Sequence, residues 1–262
     1  PVFYRCHQEN NWQPDPEEIK SLITERTRAI LIINPNNPTG VIYGPELLKE
    51  LVEVARENKL LIFSDEIYDR LLLGDAVHVS TASLCPDLPV ITFNGLSKSH
   101  VVCGFRCGWM CVSGPDELTK DYKAALTALA AMRLCGNALT QLVIPAALED
   151  SAYTKQMMSP GGRLYEQSKA ACDALEKIPG LTFVRNQAAF YVFPKLDIEQ
   201  FGITDDRKFA LDLLHEKHIL LVAGSGFDWP EPDHFRLVLL PEAQELKKAI
   251  EDIGDFLSTY HQ

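Results

Sequence analysis

The sequence contains no apolar run near the roughly 18 residues that a membrane-spanning helix requires, which excludes such a segment. It has no cationic excess. Against 36 Asp and Glu stand 25 Lys and Arg, a formal net charge of −11, so a nucleic-acid or anionic-membrane partner is not expected. Internal repeats, low-complexity tracts and flexible linkers are all missing, which argues against a solenoid or a disordered tether. The opening, PVFYRC, has neither an initiator Met nor the charged n-region of a secretory signal. It reads as a strand, the way a piece of a longer protein would begin. Cysteine is sparse and odd in number, seven scattered over 262 residues, so a disulfide framework is not expected and reduced thiols in a cytoplasmic compartment are. Cys103, Cys107 and Cys111 stand four apart, but no nearby His completes a tetrahedral metal set. Cys107 and Cys111 fall in or beside the apolar run GWMCV, and buried, inert thiols are expected there.

What is present suits a globular chain with a substantial core: 46% hydrophobic residues, 23% charged, and length enough for two domains. Strand-like runs alternate with helix-like ones, the pattern of a layered α/β fold. Asp15-Pro16-Glu17-Glu18 reads as a helix start, with Asp as N-cap and Pro at the first helical position. The helix leads to RAILII, a continuously apolar run of the kind found in buried parallel strands. Leu47, Leu51, Val54 and Ala55 then repeat at helical spacing before a second strand, LLIF (60–63). A third, VITF (90–93), and a fourth over 108–112 follow. Helical segments dominate from about Pro115 to Lys177, the last of them a long connecting helix from Gly161 to Ile178. Beyond Pro179, LTFVR, AAFYVF, a helix near 204–217, HILLV, HFRLVLL and a closing helix from Pro241 describe a smaller α+β lobe.

Three polar loops, 34–40, 65–68 and 94–106, each follow a buried strand at its carboxyl end, the edge at which parallel sheets bind ligands. Lys98 in NGLSKSHVVCGFR is either a solvated charge or an enclosed amine, its pKa lowered by desolvation and by Arg106, able to form an imine. Ser97 and Arg106 could hold a phosphate. Asp65 is either a helix N-cap before IYDRLLL or a carboxylate facing a protonated ring nitrogen. That contact would be worth about 4 kcal/mol at an effective dielectric near 20. Tyr68, three residues on, could reach the same ligand. NPNNPTG is either a turn or a rigid frame presenting an Asn amide. Arg236 in HFRLVLL either faces outward from an edge strand or points inward as a fork for a carboxylate.

NPNNPTG, SDEIYD, NGLSK followed by GFRCGW, and a later FRLVLL arginine resemble, in order and spacing, the linked motifs of the class I/II aminotransferases. These are pyridoxal-phosphate (PLP) enzymes of fold type I. The resemblance spans essentially residues 1–262. PVFYRC…NWQPD, MRLCGN, PGGRLYEQ and WPEPDHFRLVLLP look most similar to bacterial glutamate–pyruvate (alanine) aminotransferases. It implies an α/β fold: part of a mixed, mainly parallel large-domain sheet with flanking helices over 1–158, then a small α+β domain over 159–262. It also implies PLP as cofactor, amino acids and 2-oxo acids as substrates, and a homodimer at full length. Lys98 would carry the Schiff base and move the proton. Asp65 would pair with the ring nitrogen, Asn37 and Tyr68 with the ring oxygen, and Ser97 and Arg106 with the phosphate. Arg236, with Asn37 close by, would bind the substrate α-carboxylate.

The sequence departs from the family pattern in three ways. Gly95 stands where many relatives carry Ser or Thr, and Ala188 replaces a common glycine. About the first third of a family chain, which supplies the phosphate-cupping loop and an aromatic ring over the cofactor, is absent. The 262 residues alone are therefore expected to be inactive or nearly so. A C–S lyase on the same fold, or a PLP-sensing regulatory domain, are the alternatives.

Overall fold

The computed structural model describes residues 1–150 and 152–262. The chain divides into two compact units. The first comprises Pro1–Pro35, Ile42–Leu72 and Val77–Lys155; the second comprises Asn36–Val41, Leu73–Ala76 and Gln156–Gln262. Among the described residues no helix is long and apolar enough to cross a membrane.

The first unit is built on a four-stranded sheet in sequence order: β1 (Ala29–Ile33), β2 (Leu61–Asp65), β3 (Val90–Gly95) and β4 (Gly108–Ser113). The first three are parallel, in a register that aligns Ile33 with Asp65 and Asp65 with Phe93; β4 returns antiparallel to β3. Helix α1 (Pro16–Leu22) starts as expected, with Pro16 at its first turn and the Asp15 carboxylate accepting from Glu17 N at 2.9 Å. Helix α2 (Pro45–Glu57) buries Leu48, Leu51, Val52, Val54 and Ala55, so Leu48 rather than Leu47 takes the core position of the first turn. The remaining helices of this unit are the one-turn α3 (Leu96–Ser99), α4 (Asp116–Arg133), α5 (Ala138–Gln141) and α6 (Ile144–Glu149); α7 (Ala152–Met158) carries the chain into the second unit.

Three expectations fail here. PVFYRC forms no strand: it makes a single bridge, Cys6 to Pro14, and leaves Val2 and Phe3 exposed. Its alternation has no sheet edge to pair with among the described residues. Parallel β1 is buried on one face only. Ile30 and Ile32 are inside, but Leu31 is 51% exposed, and Met110 on β4 is exposed as well. Of the three clustered cysteines only Cys107 is buried; Cys103 and Cys111 are exposed. Cys111 lies on β4, whose burial is low along most of its length.

The second unit packs α8 (Arg163–Leu175) along α11 (Ala243–Thr259). Leu246, Ile250, Ile253 and Leu257 recur at helical spacing on the buried face of α11. The short strands β5 (Leu181–Thr182) and β7 (Lys195–Leu196) pair with each other. A three-stranded antiparallel sheet places β9 (Phe235–Val238) between β6 (Tyr191–Val192) and β8 (Val222–Ala223). Helices α9 (Ile198–Phe201) and α10 (Asp206–Lys217) complete the unit, and α10 packs Phe209 against Phe235 and Phe256 at ring separations of 5.7 and 6.1 Å. The run HILLV yields only the two-residue β8. His218 ends α10 in a left-handed conformation (φ 59), and Leu220 is left exposed.

Candidate active site

In the first unit the parallel strands end side by side, and the polar segments that follow are tied there by backbone hydrogen bonds. Asn34 N donates to the Asp65 carbonyl at 3.0 Å, and Glu66 N to the Phe93 carbonyl at 3.0 Å. Alternation along β2 sends Ser64 and Glu66 to one side and Asp65 to the other. Residues 67–70 form turns, so the reading of Asp65 as the N-cap of a helix does not hold. Asp65 Oδ1 accepts from Ile67 N at 3.1 Å, so the carboxylate does cap a local turn, but it makes no ion pair with any described residue. Burial raises its pKa, and the Ile67 hydrogen bond only partly offsets that. A half-buried carboxylate at a parallel-sheet edge with no cation beside it is electrostatically incomplete.

Lys98 lies in α3, a single helical turn rather than a loop. The turn is anchored from several directions. Leu96 N donates to the Cys107 carbonyl at 3.2 Å, and Thr154 Oγ1 to the Ser99 carbonyl at 2.7 Å. Ser99 Oγ lies 2.8 Å from His100 Nδ1, while His100 Nε2 donates to the Ala147 carbonyl at 2.7 Å. The approach of β3 to β4 also explains Gly95. A Cβ there would stand 2.8 Å from the Cys107 carbonyl oxygen, so the Ser or Thr of other sequences has no room on this backbone. Lys98 Nζ lies 5.9 Å from the centroid of the buried Tyr68 ring. Ser97 is half-buried, and its hydroxyl has no hydrogen-bond partner among the described residues. Arg106 is exposed, with a left-handed backbone (φ 52), and its Nη1 donates to the Cys103 carbonyl at 2.8 Å.

Sequence reasoning missed the support on the other side of β2. Glu66 is 3% exposed, and its Oε1 accepts from Ser64 Oγ (2.9 Å), Ser80 Oγ (3.0 Å) and Thr81 N (3.0 Å). His78 Nε2 lies 3.1 Å from the Asn34 carbonyl, which can only accept, so that nitrogen carries the proton. Burial lowers the His78 pKa, which favours the neutral ring. This network fixes the ends of β1 and β2, the strands that lead into Asn34 and Asp65. The only sequence signal was an acidic residue at an alternating strand position among small hydroxyl residues.

The second unit brings Asn37 and Arg236 together. Arg236 Nη1 donates to Asn37 Oδ1 at 2.9 Å. The arginine is not on an edge strand, because β9 is the centre of its sheet. Phe235 and Leu237 face the core while Arg236 is half-buried, with no carboxylate partner among the described residues. The segment carrying Asn37 folds on itself: Thr39 Oγ1 donates to Asn36 Oδ1 at 2.8 Å, and Gly40 N to the Asn36 carbonyl at 2.9 Å. Gly40 is required there. Its φ is +71, and a Cβ would stand 2.5 Å from Asn186 Cβ and 2.6 Å from the Tyr191 carbonyl oxygen. At the other departure from the family pattern, Ala188 is fully buried, and the left-handed residue is its neighbour Ala189 (φ 56).

Comparison with known proteins identifies the family. The family described as aminotransferase class I and II matches residues 1–253. Glutamate-pyruvate aminotransferase AlaA of Escherichia coli is 49% identical over 261 residues, covering 100% of this chain and 64% of the relative. Alanine aminotransferase of Mycobacterium bovis is 47% identical over 262 residues, covering 100% of this chain and 61% of the relative. This chain thus spans a little under two thirds of the relatives it matches. Among solved structures, an Escherichia coli aminotransferase superposes with a TM-score of 0.97 at 49% identity, over 100% of this chain and 65% of that one. Alanine aminotransferase from Pyrococcus furiosus gives a TM-score of 0.92 at 39% identity, over 98% and 64%. The fold is that of the PLP-dependent aminotransferases of fold type I, and the chain belongs to the class I and II aminotransferase family.

Proposed function

We propose that this chain supplies the cofactor-linking lysine and the carboxylate-binding arginine of a PLP-dependent aminotransferase. The reaction moves an amino group between an L-amino acid and a 2-oxo acid in two half-reactions, with alanine and 2-oxoglutarate giving pyruvate and glutamate. The observation that carries this reading is the half-buried Asp65 carboxylate, without a cation, at the strand edge whose next strand leads into Lys98. When bound, PLP supplies an aldehyde for attachment to an amine and a ring that withdraws electrons from the substrate Cα. Asp65 holds the positive charge on the ring nitrogen. Lys98 Nζ is the attaching amine and later takes and returns the Cα proton. Tyr68 and Asn37 donate toward the ring oxygen, Ser97 and Arg106 bind the phosphate, and Arg236 with Asn37 binds the α-carboxylate.

The names of the relatives favour alanine as donor. The free thiols favour a cytoplasmic setting. A homodimer of the whole protein, with no nucleic-acid or membrane partner, goes with this reading. The test is to incubate the holoenzyme with alanine and 2-oxoglutarate and to assay pyruvate and glutamate. Stoichiometric formation of both supports the proposal. Ammonia released from cysteine or cystathionine without amino transfer would replace it with a C–S lyase.

A further inference from the structure

Arg236 is surrounded by side chains to which the proposed reaction gives no part. Its guanidinium carbon lies 4.5 Å from the centroid of the Tyr191 ring and 4.8 Å from that of Phe227. A guanidinium donates only within its plane, so rings packed against it leave the N–H fork available. Asn37 takes one of these donors, and Arg236 Nε is buried with no hydrogen-bond partner among the described residues.

Phe227 ends a short 3-10 turn, Gly224–Phe227, and the next residue, Asp228, has a left-handed backbone (φ 56). Two buried carboxylates pin this turn, one at each end. Asp206, 5% exposed, accepts from Ser225 N at 2.7 Å and Ser225 Oγ at 2.9 Å. Asp233, also 5% exposed, accepts from Trp229 Nε1 at 2.8 Å and lies 2.6 Å from His234 Nδ1. The rings close the circuit. His234 stacks on Phe193 at 4.9 Å, and Phe193 meets Phe227 edge-on at 5.8 Å.

We propose that Phe227 is a positioning residue for the substrate carboxylate: with Tyr191 it fixes the plane of the Arg236 guanidinium, while Asp206 and Asp233, acting through Ser225 and Trp229, fix Phe227. The proposal rests on the reading of Arg236 as the carboxylate-binding group. It assigns the run GSGFDWPEPDHFR a purpose beyond carrying Arg236 itself.

The test titrates the holoenzyme with propionate, which offers a carboxylate and no amine, by calorimetry, and measures kcat and KM for the amino donor. Phe227→Leu is expected to weaken propionate binding and raise KM by about 5- to 30-fold, with kcat within about twofold. Trp229→Phe keeps an aromatic ring but loses the donor to Asp233, and is expected to weaken propionate by about 3- to 10-fold. Phe227→Tyr retains a ring and stays within about twofold of the parent. Phe227→Leu and Trp229→Phe disturb the cluster at two different residues, so if one fails to fold the other still reads the effect against the Phe227→Tyr control. Propionate affinity unchanged in both Phe227→Leu and Trp229→Phe, or a loss of kcat at constant KM, overturns the proposal. Arg236→Gln separates the two levels. If it loses propionate binding and Phe227→Leu does not, only the positioning role fails. If it binds propionate as the parent does, the carboxylate reading fails and the positioning role with it.

Discussion

Lys98 Nζ lies 5.9 Å from the centroid of the Tyr68 ring, although the two residues leave the ends of different strands. Parallel pairing of β2 with β3 brings them to the same edge. Tyr68→Phe keeps the buried ring and removes only the hydroxyl proposed to face the cofactor. Its expected effect is about tenfold weaker PLP binding, the loss of a single hydrogen bond to a charged oxygen. Thermal stability should change little. Fluorescence titration of the cofactor-free protein with PLP measures the first, and a melting curve the second.

Asp65→Asn tests the electrostatic core of the account. An effective dielectric near 20 makes the carboxylate–pyridinium contact worth about 4 kcal/mol, so the amine-transfer half-reaction is expected to slow on the order of 100- to 1000-fold. The pH dependence has a definite sign. Burial raises the Asp65 pKa in the cofactor-free chain. Its ionisation therefore costs stability as pH rises through that raised value. A bound ring cation reverses the cost, because the carboxylate must be ionised to pair with it. The stabilisation conferred by PLP should accordingly grow with pH through the acid range more steeply in the parent than in Asp65→Asn. Chemical denaturation with and without PLP at several pH values reads this directly.

Arg236→Lys retains the charge and discards the planar fork. Losing one charge-assisted hydrogen bond costs about 1.5–3 kcal/mol, so kcat/KM for the amino donor is expected to fall by about 10- to 100-fold. Steady-state kinetics across a concentration series should place most of the loss in KM.

Glu66 is the proposed strut beneath the site. Glu66→Ala leaves the Ser64 and Ser80 hydroxyls and the Thr81 N–H without the acceptor they now share. A loss of about 3 kcal/mol in unfolding free energy is expected from urea denaturation. Glu66→Gln, which still presents a carbonyl oxygen, should lose less than half as much.

Much of this was legible in the residues themselves. RAILII, LLIF and VITF are short, bounded apolar runs, and each became a strand of the parallel sheet, with the polar segment after it at the expected edge. Asp15 and Pro16 fixed a helix start because the cap is a local interaction. The misreadings are those that depend on neighbours distant in sequence. PVFYRC and HILLV alternate or run apolar as strands do, but pairing decides strandhood, and neither has a full-length partner among the described residues. The sequence around Lys98 reads as a loop because a four-residue helix leaves no periodicity to detect. The apolar run GWMCV puts Cys111 inside, yet most of β4 is poorly covered among the described residues. Glu66, Phe227 and Asp233 escaped notice for a different reason. Their roles appear only when the segments around residues 64–81 and 191–236 are folded against themselves.

The most direct test of the central claim is borohydride reduction of the PLP-loaded protein followed by peptide mapping. The absorption band of the lysine-bound cofactor near the visible edge is expected to disappear, and the reduced cofactor to be found on Lys98, with no labelling in Lys98→Ala. A cofactor label on another lysine, or an undiminished label in Lys98→Ala, would contradict the claim.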